Sequence, residues 1–305
     1  MSLRGPNRNS ARREAASLGP RGGWITPVSV AVIVMLIGLV GAAFWFSQTE
    51  KAERIELNAA DLCPKDTARN PPSVYVVLVD QTDPLEELAR VSVANEVLQL
   101  LKSELEGESD VAAKRNARVE VWTFTAGAPN AANMYRVGNV QLVLAKSLSI
   151  CNPGAPAKWD HLYRNVDVVR RQHARFYASL KDIVEQSLAF KEAPRSPIIE
   201  ALFGIGAKVF TTPELAAAGK HLILVSDLVQ GTQTVDFFQS GYKPDYPAWR
   251  RTTAGRQTLP ELAKVDVTAI MIPGSRPDLQ TEGLIGFWTK LFDAAGATPK
   301  FIKKP

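Results

Sequence analysis

Two aspartates, each closing an apolar, β-branched run, are the residues of this chain best placed to do chemistry. Asp80 follows Val74-Tyr75-Val76-Val77-Leu78-Val79, and Asp227 follows Leu222-Ile223-Leu224-Val225-Ser226. Runs of this kind suit strands covered on both faces. In open parallel sheets, ligands bind beyond the carboxyl ends of the strands, where the strand order reverses. Hydroxyls accompany the two carboxylates: Thr82 two residues after Asp80, Ser226 beside Asp227, and Ser196 ahead of the apolar stretch Ile198-Ile199-Glu200-Ala201-Leu202. Carboxylates and hydroxyls form an all-oxygen donor set. That is the chemistry of a hard cation such as Mg²⁺, which commonly takes only one or two carboxylates. Plainer roles compete, because an Asp at a strand end also forms turns and a Ser just before Pro197 is a helix N-cap.

Other chemistries find no support. His161, His173 and His221 lack metal-ligand spacing, and His173 falls on an apolar helical stripe. Gly204-Ile205-Gly206 does not follow a strand, so it is no dinucleotide turn, and Ala218-Gly219-Lys220-His221 lacks the first Gly and the hydroxyl of a P-loop. No Gly-x-Ser-x-Gly elbow occurs.

The elements that must position the aspartates alternate. After the strand at 74–79, Asp83, Pro84 and Glu86 read as a capping box with Pro in the first turn, opening a helix with Leu85, Leu88, Val91, Leu98, Leu101 and Leu105 on one stripe. Strands are expected at 119–125 and 140–150, a long helix at 161–190 and a short one at 197–210. The strand at 222–225 follows, then one at 265–272. A last amphipathic helix carries Leu284, Ile285, Trp288, Leu291 and Phe292 and stops at Gly296. This order predicts one α/β domain over residues 73–305 with a doubly wound, mostly parallel sheet. About 230 residues suffice to bury a full core.

The N-terminal part reads differently. Residues 24–46 contain no charged side chain, and the 23 residues before them hold five arginines against Glu14. A helix of 23 residues spans a bilayer core of ~30 Å. Trp24 and Phe44-Trp45-Phe46 fall where aromatic rings favour the headgroup zone. The sequence therefore predicts a basic cytoplasmic tail (1–23), a transmembrane helix (24–46) and a linker (47–72). Orientation by positive charge places the C-terminal domain outside a bacterial cytoplasmic membrane. A cleaved signal ending near Gly41 and Ala43 is the alternative, although the apolar run is longer than a signal core. Removing five arginines and one glutamate from totals of 36 basic and 31 acidic residues leaves a nearly neutral domain. No nucleic-acid partner is expected of it.

Two cysteines, Cys63 and Cys151, both lie in the domain expected outside, and an even count there reads as a disulfide. Residues 229–256 show no clear period and carry Phe237, Phe238, Tyr242, Tyr246 and Trp249. A long aromatic loop either docks a protein partner or packs itself down.

At its aspartates and hydroxyls the chain resembles the von Willebrand factor A domain family. That family's metal-ion-dependent adhesion site is D-x-S-x-S after the first strand, a Ser or Thr in a later loop, and an Asp after the fourth strand. Asp80-Gln81-Thr82-Asp83-Pro84 matches the first part, Ser196 the second, and Asp227 the third, except that Pro84 replaces the second hydroxyl. The resemblance covers roughly residues 73–302 and implies a binding module rather than an enzyme. Asp80, Thr82, Ser196 and Asp227 would hold Mg²⁺ or Mn²⁺, and a protein partner's carboxylate would complete the shell. Such a module would serve an envelope-associated complex. Two other expectations stand beside it: a metal-dependent hydrolase such as a phosphatase, with Asp80 as nucleophile, and a metal-free structural scaffold.

Overall fold

The computed structural model describes residues 27–51, 57–65, 71–82, 84–107, 114–127, 131–155, 165–189, 191, 193, 195–239 and 243–303. The basic tail, Trp24, Asp83, His161 and Tyr242 lie outside them. The chain divides into two compact units, Met1–Arg54 and Ile55–Pro305.

In the first unit the uncharged run forms helix α1, Pro27–Lys51. The expected anchor and the membrane location built on it are overturned, because among the described residues no helix is long and apolar enough to cross a membrane. The last turn of the helix is polar and takes in Gln48, Glu50 and Lys51.

The second unit is built on seven strands: β1 (Ser73–Asp80), β2 (Arg118–Ala126), β3 (Met134–Val137), β4 (Val140–Cys151), β5 (Gly219–Ser226), β6 (Val265–Met271) and β7 (Thr298–Lys303). Their spatial order is β3-β4-β2-β1-β5-β6-β7. Strands β2, β1, β5, β6 and β7 run parallel, while β4 pairs antiparallel to β2 and carries β3 as a hairpin. Counting that hairpin as one position gives the doubly wound order 3-2-1-4-5-6, whose switch point falls between β1 and β5.

Side chains alternate across a strand, and β1 divides the core accordingly. Val74, Val76 and Leu78 face one apolar cluster, and Tyr75, Val77 and Val79 face the other. The second cluster is closed by α2 (Glu87–Glu106) and α3 (Val166–Ser187). The first is closed by α4 (Ile198–Ile205) with its π-turn Gly206–Phe210, by α5 (Tyr246–Arg251), and by α7 (Glu282–Ala294), after the short α6 (Thr253–Gln257). The expected capping box at 83–86 gives way to a later start. Pro84 lies outside the helix, and the N-cap is Glu86, with no side-chain cap bond. The expected helix at 161–190 begins at Val166, where Asn165 accepts from the N–H groups of Asp167 and Val168.

Residues 57–65 of the segment expected to be a linker belong to the second unit. Leu62 is buried in the core, Cys151 N–H donates to Asp61 O at 2.9 Å, and the Arg175 guanidinium binds the carbonyls of Ala59 and Ala60. Cys63 and Cys151 form the expected disulfide, 88 residues apart in sequence.

Candidate functional site

Strand β1 ends by placing Asp80 between its two neighbours at the switch point, with only 3% of its surface exposed. Its Oδ1 accepts from Thr82 N–H at 3.0 Å and from the Thr82 hydroxyl at 2.7 Å. Its Oδ2 accepts from Ser196 Oγ at 2.6 Å and from Ser226 Oγ at 2.8 Å. Three chain segments thus converge on one carboxylate, Ser196 and Ser226 lying 116 and 146 residues beyond Asp80. Ionised acceptors make short, strong hydrogen bonds, and these lengths match.

Asp227 is fully buried at the end of β5. Its Oδ1 accepts from Val229 N–H at 2.8 Å. Its Oδ2 lies 2.3 Å from where a β-carbon on Gly274 would stand, so the loop after β6 needs a glycine at that point. Between them Leu228 takes a left-handed backbone, φ 64°. A branched, buried side chain pays for that conformation only when its surroundings over-determine it. Here Leu228 N–H donates to Ser226 Oγ at 3.0 Å, and Leu228 O accepts from Trp288 Nε1 at 2.8 Å. Gln280 staples the same turn by donating to the carbonyls of Asp227 and Ile272.

A further polar layer supports Ser196. Glu200, in the first turn of α4, is fully buried and accepts from Gln230 Nε2 at 2.9 Å, Thr232 Oγ1 at 3.2 Å and Thr234 Oγ1 at 2.9 Å. Burial holds its carboxyl above the ordinary range, opposed by those hydrogen bonds. Gln230 Oε1 in turn accepts from Ile199 N–H, and Gly231 N–H donates to Ser196 O. The loop after β5 is therefore bound to Ser196 and to the first turn of α4 that follows it.

The sequence-derived set is brought together in part. Asp80, Thr82 and Ser196 share one hydrogen-bonded cluster, and Ser226 joins them from β5. The Asp227 carboxylate accepts from Val229 N–H in the turn it closes and lies against Gly274. Pro84 is exposed. The donor chemistry around Asp80 fits a hard cation: one carboxylate and three hydroxyls bonded to it, all oxygen, with Asp227 next to Ser226 in the chain. Among the described residues no group of three His, Cys, Asp or Glu side chains is arranged for a metal, so hydroxyls would have to share the load.

The aromatic loop is packed down. Phe237 and Trp249 are almost wholly buried, and Phe287 of α7 meets Phe237 edge-on at 5.0 Å, Trp249 at 5.7 Å and Tyr246 at 5.8 Å. Phe238 and Tyr246 are half-buried. These four rings pack into or against the core, the second of the two roles expected of the loop. Sequence reasoning missed Glu200, Gln230, Thr232, Thr234 and Gln280; only the polar residues of the Leu228–Val235 loop, directly after Asp227, hinted at them.

No protein-family profile matches the chain, and neither does any curated protein. Solved structures similar to it include an aerotolerance-related membrane protein from Bacteroides fragilis (11% identity, 75% of this chain and 91% of that one, TM-score 0.34). The conserved hypothetical protein BatB from Bacteroides thetaiotaomicron is similar at 11% identity over 76% and 91%, with a TM-score of 0.34. Manganese-loaded TRAP protein from Plasmodium vivax is similar at 10% identity over 77% and 69%, with a TM-score of 0.33. On its own strand order and the oxygen cluster at its switch point, the chain has the von Willebrand factor A-like fold that its sequence resembles.

Proposed function

We propose that the second unit is an adhesion-type binding module that captures a protein partner at the carboxyl ends of its strands. The observation that carries this reading is the convergence of Thr82, Ser196 and Ser226 on Asp80 at the switch point. Those three hydroxyls keep acceptor lone pairs while donating to Asp80. Asp80, Thr82 and Ser196 would hold Mg²⁺ or Mn²⁺, with Asp227 behind them. A bound ion would supply positive charge for a partner carboxylate. Hydrolysis fits less well, because a nucleophilic carboxylate needs a reachable oxygen, whereas both oxygens of Asp80 are buried and hydrogen-bonded.

Calorimetric titration of Mg²⁺ and Mn²⁺ into the full chain tests the metal-assisted form. Saturable binding near one ion per chain, removed in Asp80→Asn, is the expected outcome. Heats that are absent, or unchanged in the variant, would refute it and leave a metal-free docking face.

A further inference from the structure

On the same strand-end face, beside Ser196, lies a cavity of about 570 Å³ lined by Ala126, Asn139, Val140, Gln141, Arg195, Pro197 and Gly231–Gln233. Its walls are the tip of the β3–β4 hairpin and the loop after β5, and the residues on either side of Ser196 contribute to it. The volume lies within the roughly 300–1,000 Å³ typical of ligand sites. Its polar equipment has a definite chemistry. Asn139, Gln141 and Gln233 are exposed, and each carries a side-chain amide that can donate and accept, matching the one donor and one acceptor per residue of a peptide backbone.

Among the described lining residues, Arg195 is the one charged group. Its side chain is 52% exposed, and Nη1 lies 3.3 Å from Asp236 Oδ2. The Asp236 side chain is only 10% exposed, so that pair stays in place. The guanidinium carries five N–H donors, and its exposed edge can take a second carboxylate. Helix α4 begins one residue after Pro197, which brings the positive end of its dipole to the cavity and also favours an anion.

We propose that this cavity is a docking subsite for an extended, acidic segment of a partner protein. The partner's Asp or Glu carboxylate binds the exposed edge of the Arg195 guanidinium beside Asp236, and Asn139, Gln141 and Gln233 bond its main chain. The proposal deepens the reading of the strand-end face as a partner-binding surface, but it requires no metal.

The test is an NMR titration of the full chain in chelator with two blocked pentapeptides, acetyl-Ala-Gly-Asp-Gly-Ala-amide and its Asn counterpart. Amide resonances of Asn139, Gln141, Gly231 and Gln233 report on the cavity. The Asp peptide should bind at least about tenfold more tightly than the Asn peptide. Arg195→Gln should abolish that preference, and Asp236→Asn, which removes the competing negative charge beside Arg195 and keeps the Oδ1 acceptor for Phe238 N–H, should strengthen binding severalfold. Equal binding of the two peptides, a preference that survives Arg195→Gln, or no shift at millimolar peptide would each overturn the proposal. Repeating the titration with Mg²⁺ separates the two readings. Binding that appears only with the ion and is lost in Asp80→Asn, but not in Arg195→Gln, sinks the cavity proposal and leaves the oxygen cluster standing.

Discussion

Replacing Asp80 in two ways separates its charge from its hydrogen bonds. In Asp80→Asn the amide oxygen can keep both bonds from Thr82, one of which comes from a main-chain N–H that cannot turn away. The amide NH₂ then faces Ser196 and Ser226, whose hydroxyls rotate to accept. The number of bonds is conserved and only their charge assistance is lost. A hydrogen bond to a charged group contributes roughly 1.5–3 kcal/mol and a neutral one about 0.5–1.5 kcal/mol. Over four bonds the loss sums to a few kcal/mol, offset by no longer burying a charge. The expected net destabilisation is about 1–2 kcal/mol. Asp80→Ala instead removes every acceptor and strands a buried N–H. Each unsatisfied group costs about 1–3 kcal/mol, so the alanine variant should lose about 4 kcal/mol even after the hydroxyls relax. Urea unfolding followed by the fluorescence of the buried Trp122, Trp249 and Trp288 measures both, with unchanged slopes as the check on comparability. An asparagine variant as unstable as the alanine variant would refute the reasoning. The charge itself would then be the essential property, as it is when a cation sits on the carboxylate.

Two further perturbations probe the surroundings. Burial raises the pKa of Glu200 above its ordinary value of 4.5, so below that pH both folded and unfolded chains hold the proton. As pH rises, the unfolded chain releases it first, and wild-type stability should fall relative to Glu200→Gln until the folded group has ionised too. Unfolding free energies of the two proteins at pH 4 and pH 8 check the sign, and a constant difference would count against it. Replacing Cys63 and Cys151 together by Ser opens a loop of 88 residues. The chain-entropy relation gives roughly 4–5 kcal/mol for that loss. A change under about 1 kcal/mol would mean that the bonds from Arg175 and Cys151 N–H already hold the 57–65 segment.

The strands that carry the site were legible because they are long apolar runs, and the two aspartates stood at their ends. Strand β3 was not, since Met134-Tyr135-Arg136-Val137 is short and pairs only with β4. Strand β7 contains Pro299, a residue that reads as a break yet is tolerated on an edge. The site residues could be read by type but not by partner. Ser196 and Ser226 meet Asp80 across 116 and 146 residues, and no local pattern records which hydroxyl bonds which oxygen. The aromatic loop shows the same limit. Its composition suits a docking face and a packed one equally, and Phe287, some forty residues on, decides for packing.

The disulfide also determines how the second unit bears mechanical load. A pull on the chain from its N-terminal side loads the hydrogen bonds of residues 59–61 and then Cys63. That first covalent crosslink passes it through sulfur to Cys151, the last residue of β4. Strand β1, which holds Asp80, would be peeled from β2 and β5 if tension reached it directly. With the bond closed it feels force only through its neighbours across the sheet, where hydrogen bonds share the load in parallel. Reduction would turn the same pull into an unzipping of β1, so tethered domains in reducing and oxidising buffer should differ most in the force at which the strand-end cluster comes apart.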